Sequence, residues 1–247
     1  MKNHVLFTNL VLLAAALPLA AAENPQPPSA NEIVARMVKR DTQRQLSQRG
    51  YSGMRRYSLQ NDHLHKHAEM VVRVTGDADG AKHFEIVSEN GWKAAHKHVL
   101  HKMLESETET SRPEIRIKTR ICPDNYDFQM AGPETVDGRT AYQITVTPKR
   151  HDKYLFEGRI WVDTEDFAII RADGSPAKNP SFWTKHVQFV HTYQKDGPFW
   201  FPRSTESVTD ARIFGTTGLT IEYFDYKPSA APVPDDFIVT AQRLGQP

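Results

Sequence analysis

The stretch AYQITVTPKRHDKYLFEGRIWVD, residues 141–163, decides the fold class. Tyr142, Ile144 and Val146 alternate with polar neighbours, and Phe156, Gly158, Ile160 and Val162 follow in a second alternating set. Successive strand side chains point to opposite faces, so each set lies on one side of a half-buried strand. Pro148 to Asp152 supplies the turn between them. Two such runs joined by a turn predict antiparallel neighbours.

The same period extends in both directions. Towards the C-terminus it predicts strands near 168–172, 185–194, 200–210 and 219–227, with Leu219, Ile221 and Tyr223 on one face. Asp173-Gly174, Asp196-Gly197-Pro198 and Gly215 with Gly218 mark the turns. Towards the N-terminus it predicts strands near 127–136, 82–88, 68–75 and 51–59, with Asp77-Ala78-Asp79-Gly80 as a hairpin turn. Two segments break the period. Ile33, Val34, Met37 and Val38 recur at helical spacing behind a Ser29/Glu32 capping box, predicting a helix over 31–48 that ends before Gly50. Leu100, Met103 and Leu104 sit among Lys and Glu in a second helical stretch, 93–108, with a short helix possible near 113–120. About ten strands and two or three helices must share one core. The helices are too few to cover both faces of a flat sheet. A mainly β fold follows: one curved antiparallel sheet, or an incompletely closed barrel, with helices over its concave side.

Lys2, the apolar run Val5 to Ala16 and the small residues Ala20-Ala21-Ala22 predict an export signal over 1–22, cleaved after Ala22. The run is shorter than the roughly 20 residues of a membrane-spanning helix. A Pro-rich leader (23–30), one domain (31–228) and a Pro-containing tail (229–247) complete the expected organisation, with the mature chain in the periplasm. Removing Lys2 from 31 basic side chains leaves 30 against 30 acidic ones. That balance offers no electrostatic basis for nucleic-acid binding. Cys122 is the only cysteine, so no internal disulfide forms.

A longer series of residues carries a resemblance. Asn125-Tyr126-Asp127-Phe128, Asp137-Gly138-Arg139, Thr147-Pro148-Lys149 and Gly158-Arg159-Ile160-Trp161-Val162-Asp163 are followed by Ile169-Ile170-Arg171. Pro176 to Trp183 and Trp200-Phe201-Pro202 continue it. The succession resembles the outer-membrane lipoprotein-sorting proteins of the LolA/LolB-like superfamily, to which RseB-type sensor domains also belong. The resemblance covers roughly 32–227. It implies an unclosed barrel lidded by helices, with an apolar cavity for the acyl chains of lipoproteins or other lipid-like cargo. It also implies envelope transport or receptor proteins as partners, only transient membrane contact, and a monomer. The family's arginine that supports lid closure is matched by no motif here, and no functional residue is carried over. Candidate cavity residues come from the alternating faces: Tyr142, Ile144, Val146, Phe156, Ile160, Val162, Leu219 and Ile221. Leu100, Met103 and Leu104 are the lid candidates.

Chemistry-bearing clusters are sparse. His63, His65 and His67 alternate, and His98, His101 and Glu105 have helical spacing. Lys66, Lys97 and Lys102 beside them oppose a cation, and HExxH is absent. A solvated polar face is expected there, with no metal and no cofactor. Asp163, Glu165 and Asp166 read as a polar turn rather than a paired-carboxylate site. Two alternatives to a carrier stand: an RseB-type envelope sensor using the same cavity, and a hydrolase working through Asp163 or His98.

Overall fold

A computed structural model describes residues 28–179, 184–212 and 215–229. The predicted signal segment, most of the leader, Phe182-Trp183 and the tail beyond 229 lie outside these residues. Helix α1 (Ala30–Ser47) is followed by strands β1 (Tyr51–Asn61), β2 (Lys66–Gly76) and β3 (Lys82–Gly91). The helical segment comes next: a single turn α2 (Lys93–Ala95), a π turn (His96–Leu100), α3 (His101–Ser111) and α4 (Pro113–Thr119). The chain then makes β4 (Tyr126–Val136), β5 (Arg139–Pro148), β6 (Phe156–Asp163), β7 (Ile169–Pro176), β8 (Thr184–Asp196), β9 (Phe199–Ala211) and β10 (Gly215–Pro228).

All ten strands belong to one antiparallel sheet, in the order β3-β2-β1-β10-β9-β8-β7-β6-β5-β4. The sheet is open, with β3 and β4 at its two edges. These strands are consecutive in sequence, so the helical segment between them has to cross from one edge to the other. That crossing lays helices over one side of the sheet, as expected from the count of elements. Residues 51–61 of β1 pair with 217–228 of β10 and join the two halves of the sheet. Tight turns set the other registers. In the β2–β3 hairpin, Gly80 has a φ of 89° and donates its N–H to the Asp77 carbonyl. Asp163 closes the turn after β6 by accepting from the backbone N–H groups of Glu165 and Asp166, while Arg139 holds both its oxygens.

Helix α1 starts where its capping box predicts. Ser29 Oγ accepts from Glu32 N, and Glu32 Oε2 accepts from Ser29 N. Ile33, Val34 and Met37 are buried on one stripe and pack on Ile144, Val146, Ile160 and Val162 of the β5–β6 region. The second helical segment departs from the continuous helix expected over 93–108. A π turn interrupts it, and α3 runs on to Ser111. Leu100 and Leu104 pack on Tyr57, Leu59, Met70, Leu219 and Ile221, forming a separate cluster beneath this segment. Cys122 is buried, with Asn125 Nδ2 3.5 Å from its sulfur.

Truncating a fully buried α1 contact leaves a cavity that rigid neighbours cannot fill. Ile33→Ala should lower stability by about 2–5 kcal/mol, read by urea denaturation. Leu46, on the same helix but 78% exposed, should tolerate alanine within about 0.5 kcal/mol.

Candidate functional site

Beside the cluster under α3 the space between sheet and helices is not filled and opens in part to solvent. A cavity of about 1430 Å³ lies against the inward face of the sheet and the helical segment. Leu59, Val187, Ser207, Thr217 and Leu219 form its sheet wall; Trp92, Ala95, Val99 and Met103 face it from the helices. Gln45 of α1 and its C-cap Gln48, with Arg116 and Tyr154, also line it.

The structure divides the sequence-predicted face. Ile144, Val146, Ile160 and Val162 have no exposed surface and sit in the core under α1, with Tyr142 and Phe156 partly buried against them. Ile221, Leu100 and Leu104 belong to the cluster under α3. Leu219 and Met103 alone of these candidates line the cavity. His98 and Glu105 also line it, Glu105 paired with Lys102, whereas His101 pairs with Glu89. The three groups therefore do not converge on one point among the described residues.

One wall of this region is polar, and sequence reasoning missed it. Arg55 of β1 points inward and is 1% exposed. Its Nη1 donates to Glu107 Oε2 at 2.7 Å and to the Tyr57 hydroxyl at 3.3 Å, and its Nε donates to the Tyr226 hydroxyl at 2.8 Å. The guanidinium also stacks on Phe84 and Tyr223, 5.1 and 4.9 Å from the ring centroids. Gly53 makes room for this arrangement: a Cβ there would lie 2.5 Å from the Tyr226 ring. Glu107, on α3, receives a second cation, Lys82 of β3, whose Nζ is 2.7 Å from Oε1. A single carboxylate on the helix thus ties it to two strands. Both ends of the bridge had a signal in the sequence. Arg55 occupies the inward register shared with Tyr57 and Leu59. Glu107 falls on the stripe Leu100, Leu104, Glu107, Ser111, three of which are buried apolar or small polar residues.

The network continues along the sheet. The Tyr223 hydroxyl is 3.0 Å from Thr205 Oγ1, which is hydrogen-bonded to His191 Nδ1. Burial, helped by the nearby Lys82 and Arg55 charges, pushes the His191 imidazole down to about 4. For Glu107, burial acts upward, but Lys82 and Arg55 together outweigh it and hold the carboxyl well below its ordinary range.

A protein-family model described as a family of unknown function, DUF5686, matches residues 123–226. That stretch holds β4 to most of β10 and omits α1, the β1–β3 meander and the helical segment. No curated protein matches the sequence. Among solved structures, a DUF1329 family protein from Desulfovibrio piger is 13% identical, with a TM-score of 0.46, over 87% of this chain and 99% of that one. A LolA superfamily protein from Nitrosomonas europaea is 10% identical, with a TM-score of 0.43, over 83% of this chain and 96% of that one. An outer membrane lipoprotein-sorting protein domain from Vibrio parahaemolyticus is 10% identical, with a TM-score of 0.43, over 84% and 97%. At these levels of similarity none of them assigns an activity to this chain, and the geometry has to carry the function.

Breaking a buried ion pair from one side leaves an uncompensated charge, at a cost of roughly 3–5 kcal/mol. Glu107 is 32% exposed, so Glu107→Gln should fall at the lower end of that range in chemical denaturation. The pH profile carries two windows of opposite chemistry and the same sign. His191 is neutral when folded and protonates more readily when unfolded, so stability falls as pH drops from about 6.5 to about 4. Glu107 has the depressed carboxyl, so its contribution is complete above the ordinary Glu range and is lost below it. Melting temperatures of His191→Phe should therefore lose the upper window and keep the lower one.

Proposed function

We infer that the protein is a periplasmic carrier that holds acyl chains of a lipoprotein, or of another lipid-like molecule, in this cavity. The observation that supports the reading best is the unfilled interior: about 1430 Å³ beside an apolar wall, beneath a helical segment fastened by an ion bridge. A solid core of the same elements would have no use for such a space. The sequence adds the export-type N-terminus and the resemblance to lipoprotein-sorting proteins.

Magnitudes favour long chains. Each buried methylene contributes about 0.8 kcal/mol, so ten contribute roughly 8 kcal/mol. Opening the Arg55–Glu107–Lys82 bridge gives up charge-assisted hydrogen bonds worth roughly 1.5–3 kcal/mol each. Association itself costs several more. A short chain cannot offset both; a long chain, or two, can. In this reading the helical segment 93–119 is the lid and Glu107 its catch. Leu219 and Met103 meet the cargo directly, while Leu100 and Leu104 seat the lid. Ile144, Val146, Ile160 and Val162 belong to the solid core under α1 and take no part in holding cargo.

Two tryptophan variants separate a vacant interior from a packed one. Val187→Trp projects into the cavity and should abolish fluorescent fatty-acid binding with little change in melting temperature. Ile144→Trp enters the core under α1 and should cost about 1–3 kcal/mol or more. Absence of binding by the unaltered protein to a fatty acid, a phospholipid and a diacylated peptide would overturn the carrier reading.

A further inference from the structure

The lid segment begins with a turn that the cavity does not explain. In the π turn His96–Leu100, the His101 N–H donates to the His96 carbonyl. Residues five apart on an α-helix lie on nearly opposite sides, because 3.6 residues complete a turn. The wider turn brings them over one another. His96 and His101 accordingly converge on one carboxylate oxygen, Glu89 Oε1 near the end of β3, at 3.4 Å from His96 Nδ1 and 2.5 Å from His101 Nε2. π turns are rare and often mark functional positions.

The state of His96 makes the convergence informative. Its side chain is 7% exposed. Nε2 lies 2.9 Å from the Asn90 carbonyl, which can only accept, so Nε2 carries the hydrogen. In the neutral ring Nδ1 is then a bare lone pair, buried and without a hydrogen-bond partner. It faces a carboxylate oxygen, and two acceptors facing each other are reconciled either by a proton on Nδ1 or by a metal ion bound to both. An imidazole fixed through one nitrogen by a backbone carbonyl, with the other left free, is how metal-ligating histidines are commonly held. Zinc binds nitrogen and oxygen at about 2.0–2.2 Å in a tetrahedron, which sets two ligand atoms about 3.4 Å apart. His96 and Glu89 already stand at that spacing. No trio of such side chains is preassembled for a metal among the described residues. The group that has to withdraw is His101, now hydrogen-bonded directly to Glu89, and its side chain is 36% exposed and able to rotate.

We propose that Glu89, His96 and His101 bind a zinc-type divalent ion, with one coordination position left to water, and so tie the start of the helical segment to β3. Binding replaces the His101 Nε2–H by its lone pair, and the ring takes the other tautomer with its proton on Nδ1. Glu89, His96 and His101 are not among the residues that line the cavity, and the proposal stands whether or not the cavity carries lipid.

The test uses the full chain without an affinity tag, stripped with chelator and titrated with Zn²⁺ alone by calorimetry and with Co²⁺ alone by absorption. One equivalent should bind, with the visible bands of tetrahedral Co²⁺, and Zn²⁺ should raise the melting temperature. Glu89→Gln and His101→Ala change partly exposed side chains, so the metal-free variants should melt normally yet bind at least tenfold more weakly. His98→Ala should bind like the unaltered protein. Absence of saturable one-equivalent binding, binding that persists in both Glu89→Gln and His101→Ala, or binding lost in His98→Ala would each overturn the site.

Discussion

A guanidinium on the inward face of a β-sheet cannot be left alone, and much of this molecule is arranged around that constraint. Arg55 is 1% exposed, and an isolated buried charge is far more costly than any single apolar contact is favourable. Two tyrosine hydroxyls and two aromatic faces surround it, but none carries a formal charge. Among the described residues Glu107 alone neutralises it, and Glu107 sits on the helix. The helix must therefore lie where that carboxylate can reach both β1 and β3. The position of the helical segment over the sheet thus follows from electrostatics as much as from its few apolar residues.

The two helical coverings differ for the same reason. Helix α1 presents Ile33, Val34 and Met37 as one apolar stripe, and the sheet beneath closes on it completely. Helix α3 begins its stripe with Leu100 and Leu104 but continues it with Glu107 and Ser111. A half-polar stripe seats the helix at one end and leaves the other end held by hydrogen bonds. Space remains beside it, and Arg55, Lys82 and Glu107 next to that space are satisfied by one another rather than by packing.

The strands were legible because an antiparallel sheet with one covered face writes its alternation into the chain. The registers Ile144↔Ile160 and Tyr142↔Val162 are those that the alternation over 141–163 implies. The capping box at Ser29 and Glu32 was legible for a similar reason, since two side chains at fixed spacing satisfy two helix-end donors. What alternation cannot tell is what lies above the covered face. Ile144 and Leu219 look alike in the sequence, yet one meets α1 and the other borders a void. The π turn was hidden as well. An extra residue in a helical turn leaves the composition unchanged and shows only as a shift in which side chains share a face, so His98 and His101 part company.

The strand order has a consequence for how the chain reaches this state. Strands β1–β3 form one meander and β4–β10 another, each built from neighbours in sequence. They meet along β1 and β10, where residue 51 lies opposite residue 228. That seam has nearly the longest sequence separation the described chain allows, and pairings of such separation form slowly because the loop must close before any contact rewards it. Two arcs can grow early and independently, with α1 covering its own arc, but the cluster under α3 is complete only when Leu219 and Ile221 of β10 come up against β1. A chain interrupted before β10 keeps most of its hydrogen bonds and its core under α1, but loses one wall of its cavity.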